Sequence, residues 1–544
     1  MKKNLSITLL TCLCAIALVN CSKENSKPKA HSANLSVRDT LRIDIGNEPA
    51  SLDPEANSDN SAARVQSDLF AQLVDYDQQG RLIPGLAESW NISPDGKTYT
   101  FHLRPNLKFS DGSPITAHDF VFSWRRLVAP KTSATYNFLL NDVINAESIV
   151  KGELEPSALG VVALDERTFV VRLNSPDKAL LEKCSMTPLT VVSEKSLTKY
   201  QELWTQPEYM VTSGAYKLQS HVVNGSIRVS KNPYFYAEST VSIPNVVYFP
   251  YVDLNSSIAA YKSGDLDMTF ISVPIDQFAQ LKAEFPNELH SVRLEGMYYY
   301  TFNTSLEKFQ DIRVRQALSM VIDREMLTNQ LLNMGQTPLY STVTATIEGG
   351  KYKDVKYNWA SLSLEQRIAK AKKLYQEAGY SESNPLKITL LSNGDDLHKK
   401  IAMILIHMWK NNLGVDATFK NVDWKTFIQS RYLGNFELAR GGWTGDYNSV
   451  TAYTPLYECD GRQNLSFYCD KQYDKLISEA NLELNPQKEQ RLYTMALNQA
   501  LNDYMTIPLF QYSYQRLVKP YITNYQIESN TSDHVQSKWL RFAY

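Results

Sequence analysis

Two serine–lysine pairs in this sequence have the Ser-x-x-Lys spacing that could support covalent chemistry. Ser175 stands with Lys178 and Ser196 with Lys199, and serine acyl-transfer enzymes hold a nucleophile and a lysine at this spacing. Neither pair is accompanied by the Lys-Thr-Gly motif of such enzymes, and no Gly-x-Ser-x-Gly or His-Glu-x-x-His motif occurs. We therefore predict that the chain is not an enzyme, and a hydrolase is only a remote alternative.

Three of the six cysteines, Cys184, Cys459 and Cys469, lie beyond the N-terminal region. Cys459 and Cys469 flank a short segment that contains Asp460 and Gly461, so we expect a disulfide that closes a small surface loop. Two separate buried thiols are the alternative. Because no Cys-x-x-Cys pair and no histidine cluster with zinc spacing occurs, we expect no metal site and no cofactor.

The N-terminal region has the features of an export signal. Lys2 and Lys3 precede an apolar stretch, residues 9–19, that is too short to span a bilayer. The stretch leads into Leu-Val-Asn-Cys at residues 18–21, which resembles the lipobox of bacterial lipoproteins, although Asn20 replaces the usual small residue. We expect a lipoprotein signal peptide at 1–21 whose Cys21 becomes the lipidated first residue of the mature chain, followed by a flexible polar tether at 22–36. An ordinary signal peptide is the alternative.

Charge and composition exclude several classes of protein. The 544 residues carry 56 Lys plus Arg and 58 Asp plus Glu, a net charge of −2, without long charged blocks. Nothing here indicates a nucleic-acid partner. With 43% hydrophobic residues, the chain can bury a sizeable core and is not mainly disordered. No segment after the signal is long and apolar enough to span a membrane.

The pattern of secondary structure predicts a mixed α/β protein. Apolar and polar residues alternate over 40–45 and again over 99–104, which predicts two strands. A capping box at residues 363–366 begins a helix that Gly379 ends, and a strand follows at 387–391. A second predicted helix, 396–413, leads past Gly414 into a strand at 415–422, which makes a βαβ unit.

Several motifs in one order point to a family. Residues 87–120 contain Ala-Glu-Ser-Trp, Ser-Pro-Asp-Gly-Lys-Thr-Tyr-Thr-Phe, Lys-Phe-Ser-Asp-Gly-Ser-Pro and Ala-His-Asp-Phe in succession. Further motifs follow at 204–207, 212–216, 261–267 and 311–318. This order resembles the peptide/nickel class of solute-binding proteins of ABC importers, solute-binding protein family 5. The resemblance covers nearly all of the chain beyond the tether.

The resemblance implies an α/β fold of the two-lobed periplasmic-binding-protein type (cluster C, type II). The first lobe would be discontinuous, with an extra inserted domain. The implied bounds are lobe I at 37–60, 186–295 and 514–544, inserted domain II at 61–185, and lobe II at 296–513. Two chain crossings near Gly296 and Tyr512 would form the hinge on which the lobes close around a ligand.

Within this family the closest resemblance is to the oligopeptide-binding branch, which implies a set of binding residues. Asp446 matches the partner of the ligand's α-ammonium, and Arg440 and His398 match cations that receive its carboxylate. Main-chain pairing is implied for the stretch around Gly442 and for residues 47–51, where Pro49 cannot donate a hydrogen bond. The full set of implied positions is Asp446, Arg440, His398, Glu48, Ala50, Gly442, Trp443, Thr444, Tyr136, Trp424, Tyr298, Tyr300 and Arg431.

Alternatives to these roles stay open. Asp446 could be a solvated loop residue or a helix cap, and His398 could be an exposed helix residue because Lys399 and Lys400 follow it. Of the tyrosine run 298–300, about half should line the cleft and the rest should lie in the core. Leu332 stands at a position where the relatives use a lysine. Gly296 and Thr444 stand at two positions that form a disulfide in some relatives, so that disulfide is absent here.

The resemblance implies a monomeric, lipid-anchored receptor at the extracytoplasmic face of the cell envelope. It would capture small peptides by their termini and backbone and deliver them to the permease subunits of an ABC importer. A dipeptide, a murein tripeptide or heme are alternative ligands, since this fold does not fix the ligand.

Overall fold

The computed structural model describes residues 38–56, 59–270, 272–394, 396–461, 463–526 and 530–543. Cys21, the predicted signal peptide and the predicted tether lie outside these residues. Within them, no helix combines the length and the apolar character that a membrane crossing requires.

Helices and strands alternate along the chain. Within the described residues the strands are β1 (Thr40–Asp44), β2 (Val74–Tyr76), β3 (Leu82–Pro84), β4 (Ala87–Ile92), β5 (Thr98–Leu103), β6 (Val161–Ala163), β7 (Thr168–Arg172), β8 (Tyr216–Val222), β9 (Ser226–Lys231), β10 (Asn245–Phe249), β11 (Leu289–Phe302), β12 (Thr337–Pro338), β13 (Lys387–Asn393), β14 (Asp416–Val422), β15 (Leu438–Thr444), β16 (Thr506–Leu517), β17 (Ile522–Thr523) and β18 (Arg541–Phe542).

The helices of the described residues are α1 (Asn60–Leu69), α2 (Ala117–Val128), α3 (Ala146–Val150), α4 (Leu180–Lys183), α5 (Glu194–Tyr200), α6 (Leu254–Ser263), α7 (Phe278–Glu284), α8 (Glu307–Gln310), α9 (Ile312–Met320), α10 (Arg324–Met326), α11 (Ile347–Gly350), α12 (Leu364–Glu377), α13 (Asp396–Leu413), α14 (Trp424–Tyr432), α15 (Lys471–Leu482) and α16 (Pro486–Asn502).

Two four-stranded sheets share one hydrophobic core, which we call the first core. One sheet has the order β1-β10-β9-β8 and the other β4-β5-β7-β6. Inward residues of both, such as Leu41 and Phe101, pack in one cluster with Trp124 of α2. The predicted strands at 40–45 and 99–104 are confirmed as β1 and β5, within one residue of the predicted bounds.

A six-stranded sheet builds a second core. Its order is β12-β16-β11-β15-β13-β14, and α9, α12, α13 and α16 contribute side chains to the core. The βαβ prediction is confirmed, because α13 connects β13 to a parallel β14 in the register Lys387↔Asp416 to Asn393↔Val422. Ser363 and Gln366 form the predicted capping box of α12. Gly379 follows this helix with φ +90°, a conformation that glycine adopts without strain.

Two long strands join the two cores. β11 and β16 pair antiparallel from Leu289↔Leu517 to Thr301↔Thr506, with a register shift between Arg293 and Met297. Just past β16, Val518 forms a bridge to Met268, which also bridges Ile43 of β1. The β11–β16 pair therefore runs from the six-stranded sheet to the sheet that contains β1. The chain has a two-lobed α/β fold. The predicted domain bounds and the hinge at Gly296 and Tyr512 stay predictions.

Gly214 packs directly against the end of α1, a helix that also faces the space between the lobes. Its N–H donates to the carbonyl oxygen of Leu69 at 2.8 Å. A Cβ atom at Gly214 would lie 2.6 Å from the carbonyl oxygen of Asp68 and 2.6 Å from the nitrogen of Phe70. Backbone atoms cannot move aside as a side chain can, so only glycine fits here.

We predict that Gly214→Ala lowers the free energy of unfolding by about 1–3 kcal/mol, because the added methyl group overpacks the α1 backbone. The urea midpoint measures this change. Gly394→Ala is the matched control, since a Cβ atom there meets no atom within 4 Å, and its midpoint should match that of the parent chain. Equal midpoints for all three proteins would contradict the close approach at Gly214.

Candidate functional site

The strand β15 is paired fully along one edge and only partly along the other. β11 pairs with it over its whole length, from Phe302↔Leu438 to Gly296↔Thr444. β13 pairs with it only at Leu438 and Ala439. Among the described residues, no strand pairs with the second edge between Arg440 and Thr444. Such an edge presents N–H and C=O groups to which another extended chain can add.

Gly441 and Gly442 let this part of β15 approach the tyrosines of neighbouring strands. A Cβ atom at Gly441 would lie 2.3 Å from the ring of Tyr299, and one at Gly442 would lie 2.5 Å from the hydroxyl oxygen of Tyr512. Tyr512 was expected only as a hinge residue, so its contact with the strand was missed. Its alternation with Tyr514 on β16 is the signal that could have revealed it.

Asp446 lies two residues beyond the end of β15. The Tyr136 hydroxyl donates to its Oδ1 at 3.4 Å, and Tyr136 packs against the first core. Asp446 is a solvent-exposed loop residue, as the alternative interpretation expected, but protein around its carboxylate removes part of the bulk water and so raises the pKa of Asp446, an effect that the Tyr136 hydrogen bond partly offsets. Burial, and then the charge of Asp446, raises the pKa of Tyr136 to about 12. Asp446 caps no helix here, because Ser449 caps the following 3₁₀ turn.

Asp446, Tyr136 and Thr444 line a cavity of about 310 Å³. Its other walls come from α1, from Tyr514 and from residues 532–536. A volume of this size lies at the lower end of the range for small-molecule sites. Nothing in residues 532–536 resembles a motif, so this C-terminal wall could not be predicted from the sequence.

Arg440 and His398 meet at one tyrosine. The guanidinium carbon of Arg440 lies 5.2 Å from the ring centre of Tyr298, and the His398 Nδ1 atom lies 3.3 Å from the Tyr298 hydroxyl oxygen. His398 is only 9% exposed, so it is not the solvated helix residue of the alternative interpretation. Among the described residues, no carboxylate lies within 4.0 Å of Arg440. Both side chains therefore lie beside Tyr298, and the Arg440 guanidinium reaches along the strand to Gly442, where a Cβ atom would lie 3.4 Å from Nη2.

The tyrosine run is more deeply buried than expected. Tyr298, Tyr299 and Tyr300 are all at most 4% exposed, because β11 is a central strand covered on both faces. Tyr298 contacts both predicted cations, whereas Tyr300 lies in the core with its ring centre 6.2 Å from that of Tyr298.

The remaining predicted residues of the second lobe lie around β15 and α14. Trp443 donates from Nε1 to the carbonyl oxygen of Ala452 at 2.9 Å, which fixes the loop that carries Asp446. Trp424 is 58% exposed at the start of α14, and Arg431 is buried with its guanidinium 5.4 Å from the Phe427 ring centre. Within the described part of the chain, no hydrogen bond, ion pair or ring contact joins Trp424 or Arg431 to Arg440 or to His398.

Glu48 and Ala50 lie in the first lobe and are held by local partners. The Glu48 carboxylate lies 2.6 Å from Nε2 of His221 and accepts from the Asn224 N–H at 2.9 Å. The Ala50 N–H donates to Asp59 at 3.2 Å. Sequence reasoning missed His221, because 173 residues separate it from Glu48.

Cys459 and Cys469 form a disulfide across a sequence separation of 10 residues. Cys184 is buried as a free thiol. Asp474 lies near both sulfur atoms, but sulfur atoms in a disulfide are not thiolates and cannot serve as metal ligands in this state.

Comparisons with known proteins agree with this architecture. The model of the bacterial extracellular solute-binding proteins, family 5 Middle, matches residues 81–464. The periplasmic oligopeptide-binding protein OppA of Salmonella typhimurium is 37% identical over 511 residues, 94% of each chain.

Two solved structures superpose over 93% of this chain. One is the unliganded open form of the murein tripeptide binding protein MppA, with TM-score 0.84, 33% identity and 98% of that chain covered. The other is Haemophilus influenzae OppA in complex with the peptide RPPGFSPFR, with TM-score 0.76, 36% identity and 99% of that chain covered. The chain therefore belongs to the bacterial extracellular solute-binding proteins of family 5.

Proposed function

We propose that this chain binds oligopeptides in an extended conformation along the free edge of β15 and passes them to the permease of an ABC importer. The observation that carries the proposal is the free edge from Arg440 to Thr444, with the Asp446 carboxylate beyond its end and the Arg440 and His398 side chains beside Tyr298 on the neighbouring strand. The names of the related OppA proteins support a peptide as the ligand.

The charges at the two ends give the bound peptide a direction. Asp446 follows the C-terminal end of β15 and would pair with the ligand's ammonium group. Arg440 begins the free edge, and its side chain together with His398 would receive the carboxylate. The ligand would therefore run antiparallel to β15.

The spacing of the charges favours an oligopeptide over a dipeptide. The Arg440 guanidinium reaches Gly442, four positions before Asp446, a distance of at most roughly 13 Å along an extended chain. A fully extended dipeptide spans only about 7 Å. A ligand of two residues would therefore leave one end of the site unpaired.

Uncompensated charge supports the role of Asp446. Partial desolvation raises the pKa of this exposed carboxyl, so a positive charge beside it would stabilise the ionised form. A ligand ammonium would supply the missing opposite charge, together with hydrogen bonds to the carboxylate. Main-chain pairing along β15 would add affinity that does not depend on the ligand's sequence.

The location and assembly belong to the same proposal. We propose that residues 1–21 direct export, that Cys21 carries a lipid anchor and that the mature chain acts as a monomer. The chain would bind and release its ligand without changing it. The family's extracellular role and the features of the N-terminal sequence support this part of the proposal.

A murein tripeptide is a second candidate ligand, because this chain superposes on the open form of MppA with TM-score 0.84. Such a ligand also offers a free ammonium group, so Asp446 would serve both. Mass spectrometry of ligands that co-purify with residues 22–544 separates the two, because linear peptides and murein peptides differ in mass.

We predict that Asp446→Asn weakens binding of a tetrapeptide with a free amino group by about 30-fold or more, since it leaves the buried ammonium without its counter-charge. Calorimetry measures the affinity, and thermal unfolding verifies the fold. Asp276→Asn, at an exposed position, is the matched control. An unchanged affinity in folded Asp446→Asn would refute the assignment.

Binding should depend on pH through the same pair. As pH falls, protonation of Asp446 should weaken binding at a pH above that of an ordinary aspartate, because the pKa of this carboxyl is raised. As pH rises past about 8, the ligand's ammonium should lose its proton and binding should weaken again. Calorimetry from pH 4 to 9 measures the profile. Asp446→Asn should lack the acidic limb, and an identical limb in both proteins would contradict the prediction.

We predict that Arg440→Gln weakens binding of peptides with a free carboxylate by about tenfold or more, because it removes a half-buried cationic partner. Peptides amidated at the C-terminus should bind the variant and the parent chain equally. Arg491→Gln, at an exposed position on α16, is the control. Equal losses for acid and amide peptides in Arg440→Gln would show that Arg440 does not receive the carboxylate.

A further inference from the structure

The segment 46–50, which follows β1 in the first lobe, borders the cavity described above. A Cβ atom at Gly46 would lie 3.0 Å from the ring of Phe270, and the Ala50 N–H donates to Asp59 at 3.2 Å. Phe270 and Asp59 both line the cavity, and the end of β15 lines it as well. The segment therefore lies beside the same space as the free edge of β15.

Most main-chain N–H groups of this segment are already used within the protein. The Asn47 N–H donates to the Ser61 hydroxyl oxygen at 3.3 Å. The Ala50 N–H is bound to a carboxylate, and Pro49 has no N–H. The Glu48 N–H donates to no atom of the described residues. Of the four residues 47–50, Glu48 is therefore the one whose N–H is left for a ligand.

The turn between β8 and β9 fixes the side chain of Glu48. The His221 Nε2 atom lies 2.6 Å from one oxygen of the carboxylate, and the Asn224 N–H donates to the other at 2.9 Å. Asn224 has φ +56°, a left-handed conformation that asparagine tolerates in turns. Val222 and Val223 of the same turn are 59% and 67% exposed, so apolar packing contributes little there. Both oxygens of the carboxylate are held by this one turn.

We propose that His221 is a positioning residue for peptide binding, which fixes the Glu48 side chain and thereby the N–H that Glu48 offers to the ligand backbone. The inference rests on the proposed function, because a peptide that pairs with β15 on one side would meet the first lobe on the other. A donor that is held in place before binding costs less entropy when the ligand binds. His221 itself would not touch the ligand.

The test measures binding of Ala-Ala-Ala-Ala by calorimetry. His221→Leu should weaken binding about fivefold, as expected when one main-chain hydrogen bond is lost. His221→Gln should bind within about twofold of the parent chain, because glutamine keeps a nitrogen donor for the carboxylate. Gln219→Leu, at an exposed position on β8, is the matched control and should bind as the parent chain does. Thermal unfolding shows which variants are folded.

A double-mutant cycle shows whether His221 acts through Glu48. Glu48→Ala keeps the main-chain N–H but removes the side chain that His221 holds, so it should also weaken binding about fivefold. Adding His221→Leu to Glu48→Ala should cause no further loss, because the two residues act as one unit.

Parent-like affinity in folded His221→Leu would overturn this inference alone, and so would a His221→Gln variant that binds as weakly as His221→Leu. Losses that add in the double variant would also overturn it, because His221 would then act through another contact. If His221→Leu does not fold, parent-like affinity in folded Glu48→Ala overturns the inference. Failure of the parent chain to bind any peptide would overturn the proposed function and this inference with it.

Discussion

The binding site depends on a strand that is paired along one edge and left open along most of the other. β13 accompanies β15 only as far as Ala439 and then continues with β14 as its full-length partner. The two strands separate there, and Gly441 and Gly442 leave the room that the Tyr299 ring and the Tyr512 hydroxyl occupy beside the opened stretch. On the other edge, β11 holds β15 in place over its whole length.

Phenol groups contact the charged side chains around this edge. Tyr136 donates to Asp446 from the first lobe, while Tyr298 lies against both Arg440 and His398 in the second. A phenol can orient a charge without neutralising it. Under the proposed function, a ligand with two charged ends would supply the opposite charges, and main-chain pairing would leave the sequence between its termini largely unread.

Local signals predicted the parts of the fold that local physics decides. The capping box at Ser363 and the glycine at 379 set the bounds of α12, and apolar periodicity set those of α13. Contacts between distant segments were beyond such reasoning. His398 precedes two lysines and reads as exposed, yet the sheet brings Tyr298 over it. The alternation of strand residues predicted that about half of the tyrosine run 298–300 would line the cleft. All three are buried, because β11 is a central strand that is covered on both faces. His221 meets Glu48 only because the β8–β9 hairpin folds back, and residues 532–536 reach the cavity only through the path of the C-terminal chain.

A crystal structure of the chain with a bound tetrapeptide tests the central claim most directly. The account predicts an extended ligand that forms main-chain hydrogen bonds with residues 440–444 and runs antiparallel to β15. Its ammonium group should lie about 3 Å from an Asp446 oxygen, and its carboxylate should face Arg440 or His398. A ligand bound in the reverse direction, or one that makes no main-chain contact with β15, would contradict the account.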